Sequence, residues 1–253
     1  MAEDQQRVMR SERVTDWFEI DHAYWRRFEY HRASHRRLWC DGMGDPDFDR
    51  FDRLGVDLRP PYTGGRYVLL ALQSQQFYTR WAGMTIRHFL DKVRGQVRKH
   101  SRRTLRVRYK PIGHMRRQPP LAEALAEAWI VVTHSSAVAL EALASGLPVI
   151  VTEKTFCAAR LATPWERLEN PIRPTREARR ELFARIAAHQ WTLDEMRSGE
   201  AWARLTEHDD RYRRRSDGPG SGPKAPGAGP DRGASPGAAL APALGGFEHC
   251  PAG

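Results

Sequence analysis

His134, Ser135, Ser136 and Glu141 lie close together inside the segment IVVTHSSAVALEALASGLPVIV, Ile130 to Val151. Two hydroxyls and an imidazole can donate to phosphate oxygens, and a carboxylate can accept two hydrogen bonds from a ribose diol. Such groups form a nucleotide site only where the backbone converges them, and this segment encodes such a backbone. Ile130 to Val132 has the β-branching of a buried strand, which Thr133 to Ser136 interrupt with polar groups. Ser135 or Ser136 is placed to cap a helix in which Ala137, Val138, Ala139, Leu140, Ala142 and Leu143 are small or apolar enough to be hidden. The free amides and positive dipole end of that helix then face the strand tip, where open α/β sheets bind ligands and a phosphate is favoured. Gly146 stops the helix, and Pro148 leads into a strand from Val149 to Thr152. Plainer roles stand beside these: N-capping for the serines, solvent exposure or a dipole interaction for Glu141, and a structural imidazole at the strand end for His134.

The elements that must position these groups extend upstream. Tyr67 to Leu72 reads as a buried strand followed by Gln73, Ser74 and Gln75. Thr104 to Tyr109 alternates as a second strand, ended by Lys110-Pro111. In a parallel sheet these tips share one edge with His134, so Ser74 can donate to a diphosphate and Lys110 can neutralise it, unless both sit in ordinary solvated loops. Trp81 to His100 predicts a helix, with Ile86, Phe89, Leu90, Val93 and Val97 at helical spacing, and Pro120 opens another from Leu121 to Trp129. Further helices are expected at Thr175 to His189 and Leu193 to Arg204. Strands alternating with helices predict an α/β fold with a doubly wound parallel sheet.

Composition bounds the rest. Net charge is +10, and eleven Lys or Arg with no Asp or Glu fall between Lys92 and Arg117, so this block alone exceeds the total. It attracts sugar nucleotides, anionic polysaccharide, nucleic acid or acidic lipid without distinguishing them, or it is a solvated helix face plus a basic strand. Trp17 to Trp39 interleaves aromatics with Arg26, Arg27, Arg32, Arg36 and Arg37. Such a stretch stacks on bases or sugars, or, the reading favoured here, packs while its arginines stay wet. Asp41, Asp45, Asp47, Asp49 and Asp52 lack the closing glutamate of a calcium loop, and Cys40, Cys157 and Cys250 have no metal-ligand or disulfide spacing. No metal and no cofactor is therefore expected. The N-terminus has no apolar signal core and no run of about 20 apolar residues occurs, so a cytoplasmic chain without a membrane span is the default. Residues 216–253 contain 10 Gly and 7 Pro with Leu240, Leu244 and Phe247 as the large apolar residues, which predicts a disordered tail.

Thr133 to Val151 resembles the donor-site segment of two-domain, GT-B type glycosyltransferases, in which a small-residue turn, a helix carrying Leu-Glu-Ala and a Gly-x-Pro-Val step follow one another. The likeness is to the capsular-polysaccharide-type and phage-borne group. Pro164 to Leu205, with its Glu-Asn-Pro, Gln-Trp-Thr and Ser-Gly-Glu-Ala-Trp elements, resembles the helical ending of that group. Phe51 to Ser74 resembles the approach to its second Rossmann-like domain. The resemblance implies a C-terminal donor-binding half: 1–61 as a shortened N-terminal region, 62–215 as a Rossmann-like domain that binds the nucleotide sugar, and 216–253 as the tail.

On this reading Ser135, Ser136, Ser74 and the helix amides hold phosphates, Glu141 holds the ribose, and Lys110 with His134 meets leaving-group charge without a metal. The sugar goes to a polysaccharide or other acceptor. About 60 residues before Tyr67 are too few for a second such domain. The expectation is therefore a fragment, a truncated product or a subunit that borrows a partner for the acceptor side, with Asp21 only a guess for the base. A sugar-nucleotide epimerase on the same fold and a non-catalytic, basic nucleic-acid-binding protein are the alternatives.

Overall fold

The computed structural model describes residues 18–35, 44–110 and 118–207. Every residue of strand β3 (Tyr67–Ala71) is buried, and its side chains divide by the two-residue period of a strand: Tyr67, Leu69 and Ala71 enter one core, Val68 and Leu70 another. β3 has a parallel partner on each edge, β4 (Thr104–Arg108) and β5 (Ala128–Thr133). β6 (Val149–Val151) extends the sheet to the order β4-β3-β5-β6.

Helices cover both faces. On one, α3 (Ile86–His100) buries Phe89, Val93 and Val97 with Val68 and Leu70. On the other, α1 (Phe48–Leu54), α4 (Leu121–Ala126), α5 (Val138–Ala144) and α6 (Arg176–Ala187) bring Phe51, Leu125, Leu140, Leu143 and Phe183 against Leu69 and Val131. This is the expected doubly wound, Rossmann-like α/β arrangement. After β3 the chain pairs β4 on one side and then returns to pair β5 on the other, so the topological switch lies between the tips of β3 and β5.

Several element ends differ from expectation, each for a local reason. The helix predicted from Trp81 starts only at Ile86: an unforeseen α2 (Gln75–Arg80) precedes it and ends before Gly83, whose φ is +60°, and α3 starts afresh behind the Thr85 cap, which accepts from His88 N at 3.1 Å. α4 stops at Ala126, so Ala128 and Trp129 belong to β5 instead of the helix. The last predicted helix breaks at Gly199, φ +87°, into α7 (Leu193–Arg197) and a helical stretch over 200–207.

A second sheet was not foreseen. β1 (Phe18–His22) and β2 (Tyr30–His35) form an antiparallel hairpin, and β7 (Gln190–Thr192) pairs with β2. The register sets Asp21 opposite Arg32 and Glu19 opposite Ser34. Arg32, expected to stay wet, is 5% exposed because it is held between Glu19 and Asp21. The aspartates further on have structural roles: Asp47 caps α1, and Asp52 pairs with Arg180 at 2.8 Å. Cys157 is buried. Asp41, Cys40, Cys250 and the tail 216–253 lie outside the described residues. No described helix is long and apolar enough to cross a membrane.

Candidate functional site

The tips of β3, β4 and β5 and the β1–β2 hairpin surround a cavity of about 530 Å3. Its sheet wall carries Gln73 after β3, Arg108 and Lys110 at the end of β4, and Ser135, Ser136 and Glu141 after β5. Its hairpin wall carries Asp21, Tyr24, Arg27 and Arg32. The two tips at the switch are stitched together by side chains. Thr133 Oγ1 donates to Ala71 O at 2.9 Å, Ser135 N donates to Gln73 Oε1 at 3.3 Å, and Gln73 Nε2 donates to Ser135 Oγ at 3.4 Å. The mouth of the cavity is thus fixed by the sheet.

Ser136, one of the two serines expected to cap α5, accepts from its first amide, though from one residue before the assigned N-cap. Ala137 holds the N-cap position without a side-chain bond, and Ser136 Oγ accepts from Val138 N at 3.3 Å. α5 is seven residues long, so its dipole is that of about two turns, and Ser135 N is already engaged. Charge for an anionic ligand comes instead from side chains: Arg27, Arg32, Arg108 and Lys110 against the carboxylates Asp21 and Glu141. Glu141 is the exposed residue of a helix that buries Ala139, Leu140, Ala142 and Leu143. Although the residue is exposed overall, partial burial of its carboxyl raises its pKa above the usual carboxylate range, and Arg108 pulls it back.

Two expected site residues sit elsewhere. Ser74 caps α2, its Oγ accepting from Phe77 N at 3.2 Å, and it is absent from the cavity lining. His134 is 7% exposed and turned into an aromatic cluster of Phe77, Tyr78 and Phe89. Its Nδ1 meets Thr152 Oγ1 at 2.8 Å, and its Nε2 lies 3.8 Å from Glu153. Burial lowers its pKa, against the pull of Glu153 and with a push from Lys92, so the ring is neutral at pH 7. A polar residue at a strand tip can point along either face, and here the aromatic face took this one.

Missed from sequence are Arg108 and, apart from the guess at Asp21, the hairpin wall, while Gln73 is expected at the β3 tip but without a role. Arg108 was detectable as the residue two before Lys110 on an alternating strand. The hairpin wall was not, because its Asp21 to Arg32 pairing needs a register that composition does not reveal. Of the basic block, Arg116 and Arg117 lie outside the described residues, and those beside and on β4 fall at its two ends. Arg108 and Lys110 reach the cavity, while Arg98, Lys99, Arg102 and Arg103 line a separate groove at the other end. Between them Arg103 lies 3.9 Å from the Trp129 ring centroid and Arg106 4.1 Å from that of Tyr67.

On the hairpin, one arginine serves two carboxylates. Arg32 binds Glu19 through Nη1 at 3.1 Å and Nη2 at 3.0 Å, and Asp21 through Nη2 at 2.8 Å. Burial, with the Asp21 charge beside it, pushes Glu19 up to about 7 despite Arg32. Asp21, more exposed, is also raised by burial, but Arg32 and the His22 amide outweigh that and hold it below the usual range. The unfolded chain releases the Glu19 proton near 4.5 and the folded one near 7, so the folded state binds more protons between those values. This contribution is complete below 4.5 and is lost as pH rises through 7. Glu19→Gln is expected to remove a stability slope of up to about 1.4 kcal/mol per pH unit over that window. Urea titrations at pH 5 and 8 check it, and an unchanged slope would show that Glu19 ionises normally.

No cluster of three or more His, Cys, Asp or Glu that could hold a metal occurs among the described residues. No family model and no curated protein matches the chain. Among solved structures it is similar to Thermosulfurimonas dismutans KpsC, a beta Kdo 2,7 transferase, with 14% identity over 75% of each chain and a TM-score of 0.44. At that score the likeness carries no weight for function, which is read from the cavity itself.

Proposed function

We propose that the chain is a glycosyltransferase-like protein that binds a sugar nucleotide in the switch-point cavity and passes the sugar to a polysaccharide or other acceptor. The observation that carries this reading is the convergence of Glu141, Arg108, Lys110, Ser135 and Ser136 on one cavity at the reversal of strand order. In such folds ligands lie outside the carboxyl ends of the strands. Arg108 and Lys110 neutralise the phosphates, the serine hydroxyls donate to them, and Glu141 accepts from the ribose hydroxyls. As the bond to the anomeric carbon breaks, charge grows on the leaving phosphate, and fixed cations already in place stabilise it without reorganisation. His134 acts at one remove by fixing the β5 tip through Thr152.

Calorimetric titration of the intact chain with UDP, GDP and CDP tests the reading, with saturable binding to at least one expected. Product analysis with the matching sugar nucleotide separates transfer from epimerisation, which returns a free sugar nucleotide of altered configuration.

A further inference from the structure

The expectation of a missing acceptor side is put to a sharper question by the hairpin, since a wall of the cavity is built from residues before Tyr67. We infer that the β1–β2 hairpin is the acceptor wall of the site and that Asp21 is the base that takes the proton from the attacking acceptor hydroxyl. The inference rests on the sugar-nucleotide reading above.

Among the described residues, Asp21 and Glu141 are the carboxylates that line the cavity, one from the hairpin and one from α5. Glu141 belongs to the donor wall with Arg108, which leaves Asp21 for the opposite side of the reacting carbon. Its placement is rigid. Oδ1 accepts from His22 N at 2.7 Å, Oδ2 accepts from Arg32 at 2.8 Å, and Arg32 is itself buried and fixed by its two bonds to Glu19. Yet the Asp21 side chain is 53% exposed, so a lone pair remains accessible from the cavity. Arg32 and the His22 amide hold Asp21 in its ionised form, the form that can take up a proton.

The step balances without a further reagent. The acceptor O–H bond breaks and its proton passes to the Asp21 carboxylate. The oxygen forms a bond to the anomeric carbon as the carbon–phosphate oxygen bond breaks, and that electron pair leaves on the nucleotide beside Arg108 and Lys110. Attack from the wall opposite the leaving group inverts the anomeric configuration.

The test uses the intact chain with UDP-, GDP- and CMP-sugars, reading nucleotide affinity by calorimetry and nucleotide release by coupled assay, with water or an added glycan as acceptor. Asp21→Asn is expected to bind nucleotide at least as tightly as the parent, since it removes a negative charge from the cavity, while kcat for release and transfer falls by roughly 10²- to 10⁴-fold. Asp21→Glu is expected to restore part of kcat, which also separates lost chemistry from lost folding. Transfer by Asp21→Asn within about threefold of the parent would overturn the assignment while leaving the donor site intact. A parent that binds nucleotide but never releases it from a sugar would do the same. A parent that binds no nucleotide overturns the inference together with the reading beneath it.

Discussion

Gly146→Ala is expected to lower the melting temperature by about 10 °C, because the position combines two separate demands for glycine. It ends α5 in a Schellman arrangement: Gly146 N donates to Leu143 O at 3.0 Å and Leu147 N to Ala142 O at 2.9 Å, with φ at +81°. That conformation costs a residue with a Cβ roughly 1 to 2 kcal/mol. A Cβ there would also lie 2.0 Å from Pro60 O, a backbone atom that cannot swing aside. Forced repacking adds about 1 to 3 kcal/mol, and each kcal/mol shifts the midpoint of a domain this size by about 2 to 4 °C. Gly55→Ala is the control, since φ there is +65° but nothing lies within 4 Å of the added carbon. Thermal melts of both variants decide the matter. Equal, small losses would mean that the Pro60 contact yields and that the α5–β6 turn is looser than described.

Arg179→Met is expected to cost about 3 kcal/mol or more. The side chain is fully buried, and Nη1 donates to Leu143 O at 2.7 Å while Nη2 donates to Arg59 O at 2.8 Å. It satisfies a carbonyl at the end of the short helix that carries Glu141 and ties that helix to the strand approach. Methionine fills much of the volume but forfeits two charge-assisted bonds, at about 1.5 to 3 kcal/mol each; Leu143 O keeps the Gly146 amide, while Arg59 O loses the guanidinium. Arg179→Lys is expected to rescue little, because one ammonium cannot replace a planar fork that spans two acceptors. The midpoint of urea unfolding is the measurement, and a parental midpoint for the methionine variant would show that water satisfies these carbonyls.

The parallel sheet was legible because its strands carry uninterrupted β-branched and apolar runs, such as Tyr67 to Leu72 and Ile130 to Val132, and because Gly146 and Pro148 punctuate them. The donor side of the cavity followed, since strand ends in such a sheet share an edge whatever the details. Side-chain direction did not follow. His134 and Ser135 are neighbours at one tip, yet one turns into the Phe89 cluster and the other into the cavity, a choice made by the packing of Phe77 and Tyr78. The hairpin was hidden for another reason. Phe18 and Ile20 do alternate with Glu19 and Asp21, but Ile20 is half exposed, so the period does not mark a buried apolar face; the contacts that join the strands form only once Glu19 and Asp21 meet the buried Arg32.

The most direct test of the account is calorimetric titration of the parent and of Glu141→Ala with the nucleoside diphosphate that binds best. Glu141 lies on the exposed side of α5, so its loss opens no core cavity and the fold is expected to persist. Hydrogen bonds from a ribose diol to a carboxylate are worth roughly 1.5 to 3 kcal/mol, so affinity should fall about tenfold or more at an unchanged melting temperature. Equal affinity in parent and variant would remove Glu141 from the site, and no saturable binding by the parent to UDP, GDP or CDP would contradict the nucleotide cavity itself.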